Sequence, residues 1–289
     1  MTQTINTNLA SLNAQRNLGA SQAQLSTAMQ RLSSGMRVNS AKDDAAGLSI
    51  AERMSTQVRG MAVAMRNAND GISLAQVGEG ALGSVSGLFQ RMRELAVQSA
   101  NATNSSTDRA SLNQEFSQLS QEATRTLAGT QFNGQPILSA TADSVFQIGA
   151  NNSTDVDQLT VTAFSWSTKT EITNVLGSAV LSGTDVPAIQ ISGTDGTSAQ
   201  RSISMIDSAI DALNTQRANF GAVQTRFENV VSNMQVASEN QSAARSRIMD
   251  ADYAAETSAL SRANILQQAG NAMVAQANQL PQQVLSLLK

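Results

Sequence analysis

Three stretches carry residue types whose spacing could do chemistry. Asp43 and Asp44 are adjacent acids, which could begin a cation site. Gly78, Gly80 and Gly83 in GEGALG follow the apolar run ISLAQV and have the spacing of a dinucleotide loop, whose glycines let backbone N–H groups approach a pyrophosphate. SGTD stands at 182–185 and again at 192–195, flanking VPAIQI, and repeated Asp and Gly could line calcium loops. Each has a plainer reading. Ser40 and Asp43 have capping-box spacing, and an acid pair at a helix amino end meets the positive end of the dipole. No alternating strands and helices surround the glycines, so they read as places where helices approach closely. The SGTD copies lack the longer calcium consensus and read as turns.

Composition closes most other routes. The chain of 289 residues has no Cys and no His, so it offers no thiol nucleophile, imidazole base or ordinary zinc site. We expect no enzyme, no metal and no cofactor. A net charge of -3 supplies no basic face for nucleic acid. The amino-terminal residues MTQTINTNLASLNAQRN show neither a basic start before an apolar run nor a membrane-spanning stretch. Export, if it occurs, is expected without a conventional cleaved signal, and no membrane insertion is expected. Every Asp and Glu lies between Asp43 and Glu256. Both ends are therefore nearly uncharged and rich in Gln, Asn, Ser and Ala, as suits surfaces where identical chains stack and repeated carboxylates would repel.

The elements that must position these residues are mainly helical. At the amino end Ile5, Leu9 and Leu12, then after a phase shift Leu18, Leu25, Met29 and Leu32, predict a helix with a stutter, stopped by Gly35. Val58, Met61, Met65, Ala81, Val85, Leu88, Met92 and Leu95 continue a helical period. Ser105 and Asp108 cap a further helix with Leu112, Phe116, Leu119 and Ala123 on one face, and Asn133-Gly134 marks a tight hairpin. From about 139 to 199 short alternating runs such as LTVTAF predict a small, exposed β-rich insertion that tolerates change and holds Trp166 as local packing. Ile206, Leu213, Phe220, Phe227, Met234, Gln241 and Ile248 then recur every seven residues. A helix over 203–249 would be about 70 Å long, against ~50 Å for the diameter of a compact chain of this size. An elongated rod of long antiparallel helices is therefore expected. In the last stretch Leu266, Gly270, Met273, Ala277, Leu280, Val284 and Leu287 alternate by four and three, a narrow seam that needs a partner.

Rods with incompletely covered seams stack, and contacts that do not close a ring generate helical filaments. The chain also carries a resemblance. QRLSSGMRVNSAKDDAAGLSIAERM (30–54) resembles the amino-terminal signature of bacterial flagellin, and SAARSRIMDADYAAETSALSRANILQQAGNAMVAQANQLPQQVLSLLK (242–289) resembles its carboxyl-terminal signature. The likeness covers about 1–138 and 200–289. The hook-filament junction protein shares the pattern more loosely and tends to carry proline after its acid pair, whereas this chain has AspAspAlaAla at 43–46.

The resemblance implies an extracellular filament subunit used for swimming, itself the principal partner. It implies residues 1–40 with 250–289 as a terminal coiled-coil domain, 41–138 with 200–249 as a helical rod domain, and 139–199 as a surface insertion. The assembly seam would be Ile5, Leu9, Leu12, Leu25, Leu32, Leu266, Met273, Leu280, Val284 and Leu287. The resemblance further implies contacts with the flagellar export apparatus, an export chaperone, and cap and junction proteins. FQRMRELAVQSAN (89–101) resembles a surface bound by a vertebrate innate immune receptor, with Arg91, Leu95 and Glu115 at matching positions. Gln30 to Ala51 resembles a segment perceived by a plant receptor kinase, and VLSLL (284–288) one sensed by cytosolic immune receptors. A secreted membrane-active protein is the distant alternative, and it would require a basic polar face that the Gln-rich ends lack.

Overall fold

The computed structural model describes residues 7–177 and 189–286, with side chains described through 279. Its helices are α1 (Leu9–Ser34), α2 (Ala45–Ala100), α3 (Ser106–Gly129), α4 (Thr170–Leu176), α5 (Thr197–Met249) and α6 (Tyr253–Ser286). The strands are β1 (Gln131–Phe132), β2 (Gln135–Pro136), β3 (Ser144–Gln147) and β4 (Gln158–Val161), forming two antiparallel pairs, β1 with β2 and β3 with β4. The protein is mainly α. It divides into two compact units, Met1–Val58 with Glu239–Lys289 and Arg59–Ser238.

In the Arg59–Ser238 unit, buried positions on α2 recur at steps of three and four, with small side chains first (Ala64, Ala68, Gly71, Ala75, Gly78) and large ones after (Leu82, Val85, Phe89, Met92). The row of sevens on α5 is buried at Ile206, Leu213, Phe220 and Phe227. Phe116, Ala123 and Leu127 of α3 join the same core. Each fully buried large side chain there stabilises by roughly 1.5–3 kcal/mol. The glycine-rich run lies inside α2, with no preceding strand and no loop, which removes the dinucleotide reading. A Cβ at Gly78 would touch Phe220 at 3.0 Å, whereas Gly80 and Gly83 face open space. Close approach therefore explains only the first of the three.

The segment 139–199 departs from the expectation of an exposed, permissive decoration. β4 alternates as read, with Leu159 and Val161 buried and Thr160 exposed. Yet the segment also contains a 3-10 turn at Trp166–Thr168 and the helix α4, whose Ile172, Val175 and Leu176 follow helical spacing that the strand reading passed over. Phe164, Trp166, Ile172, Val175 and Ile191 belong to the same core as α2, α3 and α5. Their burial follows from the chemistry of the run: large apolar side chains within a few residues of one another need a shared cover.

Local signals show which capping interactions form. Gly35 takes the left-handed conformation (φ 70°, ψ 4°) and its N–H donates to Arg31 O, a backbone position open to glycine at little cost. Asn133 (φ 49°) and Gly134 (φ 77°) make the hairpin between β1 and β2. The Ser105–Asp108 capping box is complete in both directions. Near residue 43 the cap shifts: Asp43 Oδ2 accepts from the backbone N–H groups of Asn39 and Ser40 in a preceding turn, and it is Asp44 Oδ1 that accepts from Gly47 N at the start of α2. The acid pair is thus divided between a turn and a helix cap. Among the described residues no group of three or more His, Cys, Asp or Glu is placed to hold a metal, and no helix is long and apolar enough to cross a membrane.

One buried cation ties the 191–194 strap to the helices. Arg109 is buried, and its guanidinium donates to the carbonyls of Ser99 (2.9 Å), Thr194 (2.9 Å) and Asn101 (3.1 Å). Ser99 Oγ donates to Ile191 O at 2.6 Å, and Ile191 N donates to Asn113 Oδ1 at 2.9 Å. Arg109→Met removes three charge-assisted bonds and leaves their carbonyls dry. It is expected to lower unfolding stability by roughly 3 kcal/mol, read as a lower urea midpoint at unchanged slope. A shift below a third of that would mean the strap is held by its apolar residues alone.

Asp108 gives a pH signature. The Ser105 hydroxyl, and after it the Ser105 backbone N–H, hold its carboxyl below the ordinary value near 3.8. A depressed folded pKa contributes stability above the unfolded value, and that contribution disappears as pH falls through the folded one. Asp108→Asn is therefore expected to flatten the loss of stability below about pH 4, measured by chemical denaturation across an acid series.

Candidate assembly seam

In the unit formed by Met1–Val58 and Glu239–Lys289, α1 and α6 pack antiparallel. Asn8 caps α1, its Oδ1 accepting from Ser11 N at 3.1 Å while its Nδ2 donates to Ala277 O at 2.7 Å. Ser11 Oγ donates to Asn278 Oδ1 at 2.8 Å, Leu18 meets Gly270, and Arg31 reaches Glu256 at 3.9 Å. Tyr253 OH donates to Leu32 O at 3.0 Å. A small second core of Val38, Ala51 and Met249 lies beside Met36, Leu48 and Ile248, where a bridge joins Met36 to Asp250.

The covered positions are regular. On α1 they are Ser11, Ala14, Leu18, Ser21, Leu25, Ala28 and Leu32; on α6 they are Glu256, Leu260, Ala263, Gln267, Gly270, Val274 and Ala277. Both sets alternate by three and four without interruption, so α1 has no stutter. The apparent phase shift came from following only large residues: Ser11, Ala14 and Ser21 keep the period where no leucine marks it. Small side chains also set the separation, because a Cβ at Gly270 would lie 3.1 Å from Leu18 Cδ1.

The residues expected from sequence to form the seam distribute over two faces. Leu25 and Leu32 are half-buried between the helices. Leu9 (69% exposed), Leu12, Leu266 and Met273 (62% exposed) face outward, together with Met29 and Ile265. On α6, Leu266 and Met273 sit one residue from the covered Gln267 and Val274, about 100° around the helix. Ile5 and Leu287, and the side chains of Leu280 and Val284, lie outside the described residues. Sequence reasoning missed Ser11, Ala28, Ala263 and Val274, for which the three-four recurrence of small residues was the available signal.

The three receptor positions lie in the other unit. Arg91 Nη2 contacts Glu115 Oε1 at 2.8 Å and Nη1 contacts Glu94 Oε2 at 2.9 Å, all exposed. Glu115 first, then Glu94, keeps this guanidinium protonated even above its ordinary range. Leu95 is 1% exposed and belongs to the core.

A mainly helical chain whose terminal helices pair through a thin small-residue seam, leaving large apolar side chains outside, defines a structural, self-associating class of protein. Residues 5–143 match the bacterial flagellin N-terminal helical region and residues 203–288 match the bacterial flagellin C-terminal helical region. The chain is 48% identical over 286 residues to a flagellin of Halalkalibacterium halodurans, covering 99% of each. It is 35% identical over 379 residues to Flagellin D of Vibrio anguillarum, with 100% of each chain covered. A crystal structure of Bacillus cereus flagellin matches at TM-score 0.46 and 32% identity, over 58% of this chain and 88% of that one. The chain belongs to the bacterial flagellin family, and it is a structural subunit that self-assembles into the helical filament of the bacterial flagellum.

The seam makes a local prediction. Ala263 is buried against α1, and Ala263→Leu forces extra bulk where helices are closely spaced. An overpacking cost of about 1–3 kcal/mol is expected, appearing as faster amide exchange across residues 9–34. Unchanged protection there would show that the helices can move apart freely.

Proposed function

We propose that the uncovered face of the terminal pair is the surface by which extracellular copies of this subunit engage one another. Leu9, Leu12, Leu266 and Met273, with Ile5, Leu280, Val284 and Leu287 further along the same helical period, would form that seam, while Leu25 and Leu32 hold the pair together from inside. The observation that carries the reading is the outward exposure of large apolar side chains on both α1 and α6, beside a seam in which half of the covered positions are Ala, Gly or Ser. Scattered exposed leucines are ordinary on any surface; the concentration of large apolar side chains on the two long helices with the fewest charges for their length is what favours stacking.

The reading keeps the division into a terminal coiled-coil domain (1–40 with 250–289), a helical rod domain (41–138 with 200–249) and an insertion (139–199). Uncharged, Gln-rich ends suit the inner part of a tube through which further unfolded subunits travel. Export apparatus, chaperone, and cap and junction proteins are partners by family resemblance. Contact with host innate immune receptors would centre on Arg91 and Glu115, whose exposed ion pair offers a charged surface. Leu95 would act from beneath, by keeping α2 seated under them.

The test is seeded elongation. Heat-dissociated full-length protein added to short filament seeds should extend them, followed by sedimentation and electron microscopy. Protein truncated after Arg262 should not. Leu266→Gln with Met273→Gln should leave thermal stability within about 0.5 kcal/mol while reducing elongation at least severalfold. Wild-type elongation by the double variant would remove these two residues from the interface.

A further inference from the structure

Within the Arg59–Ser238 unit, the pairing of α2 with α5 carries a repeat that does not by itself define one alignment. On α2, Ala64, Gly71, Gly78 and Val85 recur every seven residues; on α5, Leu213, Phe220, Phe227 and Met234 do the same. Two helices with such patterns can slide by one heptad, about 10 Å at ~1.5 Å per residue, and still oppose apolar to apolar. What distinguishes the alignments is side-chain size. A Cβ on Gly71 would lie 2.5 Å from Phe227 Cζ, and one on Gly78 would lie 3.0 Å from Phe220 Cζ. Both rings are buried. Gly80, Gly83 and Gly87, on the same helix, have nothing within 4 Å, so of the α2 glycines only Gly71 and Gly78 meet an α5 ring. Phe146 of β3 packs edge-on against Phe227, with centroids 5.3 Å apart and planes at 81°, holding that ring from the insertion. The ion pairs Arg93–Asp207 and Glu79–Arg217, and the approach of Gly196 to the Ala100 backbone, belong to the same antiparallel alignment.

We propose that Gly71 and Gly78 are sockets that select a single heptad register of α5 on α2, so that every copy entering the filament presents the same surface. Sliding α5 one heptad in one direction would set the Phe220 ring against Val85, which is fully buried. Sliding it in the other would set Phe227 against the Ala64 methyl and Leu213 beside Gly78, combining a clash with a void. Each alternative keeps one ring on a glycine and sets the other against Val85 or Ala64, and only the observed register seats both rings on glycine. The ion pairs lie near the surface, where solvent screens them, and enforce the choice less than the rings do. In a helical homopolymer the selection matters because a slipped copy would displace every α5 contact residue by about 10 Å and terminate growth.

The chain has no cysteine, so engineered pairs report register in the full-length monomer without background. Arg93→Cys with Asp207→Cys, bridged by a short bis-maleimide, reports the observed alignment. Arg93→Cys with Asn214→Cys and Arg93→Cys with Gln200→Cys report the two one-heptad slips. Gly71→Ala with Gly78→Ala is expected to lower cross-linking of the observed pair about tenfold, to make a slipped pair detectable, and to reduce seeded elongation in parallel. A helical Gly71→Ala, Gly78→Ala protein that still cross-links only through the observed pair overturns the proposal. Should that variant lose its helical circular-dichroism signal, Gly71→Leu with Phe227→Ala decides, because it moves the bulk from α5 to α2 at the same level. Cross-linking of the observed pair at the wild-type yield supports size matching, and its loss in a helical protein, or failure of this swap to fold, overturns it.

Discussion

How closely the helices approach depends on which side chain stands between them, and in this subunit that side chain is often a hydrogen, a methyl or a hydroxymethyl. Gly270 lets α6 settle on Leu18 of α1, and Gly71 and Gly78 let α2 receive rings from α5. The consequences differ between the two units. Where glycine faces Phe220 or Phe227, the buried layer is thick on one side and thin on the other, and large apolar area leaves water. Where Ser11, Ala28, Ala263 and Ala277 fill the seam, little area is buried per residue. Leu9, Leu12, Leu266 and Met273 stay exposed on the same two helices, and stacking through them, as proposed, would add burial that the pairing of α1 with α6 lacks.

Charge is arranged to the same end. Arg91 with Glu115, Arg93 with Asp207 and Arg217 with Glu79 are all found in the Arg59–Ser238 unit, with both partners substantially exposed. Each is worth about 0–1 kcal/mol, enough to favour correct pairing of surfaces and too little to hold a fold. The terminal helices carry few such pairs, Arg31 with Glu256 among them. The exception to surface placement is Arg109, buried against three neutral carbonyls. Desolvating a guanidinium is costly, and the cost is offset because the same group satisfies carbonyls at the end of α2 and in the strap before α5, which would otherwise be dry.

The long-range pattern of this fold was legible in the sequence wherever the period was carried by large residues. The row Ile206, Leu213, Phe220 and Phe227 identified α5, and the Ser105–Asp108 and Asn133-Gly134 signals identified a cap and a turn, because each is a local interaction fixed by a few neighbouring atoms. The terminal seam was harder to read because, apart from Leu18, Leu25 and Leu32, its period is carried by Ser11, Ala14, Ser21 and Ala28, residues whose type says nothing about burial. Following the large residues produced a stutter in α1 that does not exist, and on α6 it set Leu266 and Met273 in the place of Gln267 and Val274, beside Gly270 and Ala277, which are covered as read. That displacement has a physical cause: a close approach such as that of Gly270 to Leu18 leaves room for small side chains between the helices and puts the larger ones outside. The start of α2 was misread for a related reason. Ser40 and Asp43 have capping spacing, but Asp44 stands beside them with an equally suitable carboxylate, and only the path of the chain decides between them.

The segment between the two matched regions shows where family likeness and structural necessity part. Residues 144–202 lie outside both flagellin regions, and alignments with Vibrio flagellins run to 379 and 381 residues against 289 here, so those relatives contain additional residues. Variation of that kind suggests a surface free of constraint. In this chain the same segment contributes Leu159, Val161, Trp166, Ile172, Val175 and Ile191 to the principal core, and Phe146 to the edge of the Phe227 ring. At about 60 residues the segment is near the size at which a chain buries too little surface for a robust core of its own. It must share the core of the helices that carry it. Any change of length within this segment would therefore act on the packing of α2, α3 and α5, whose core it completes.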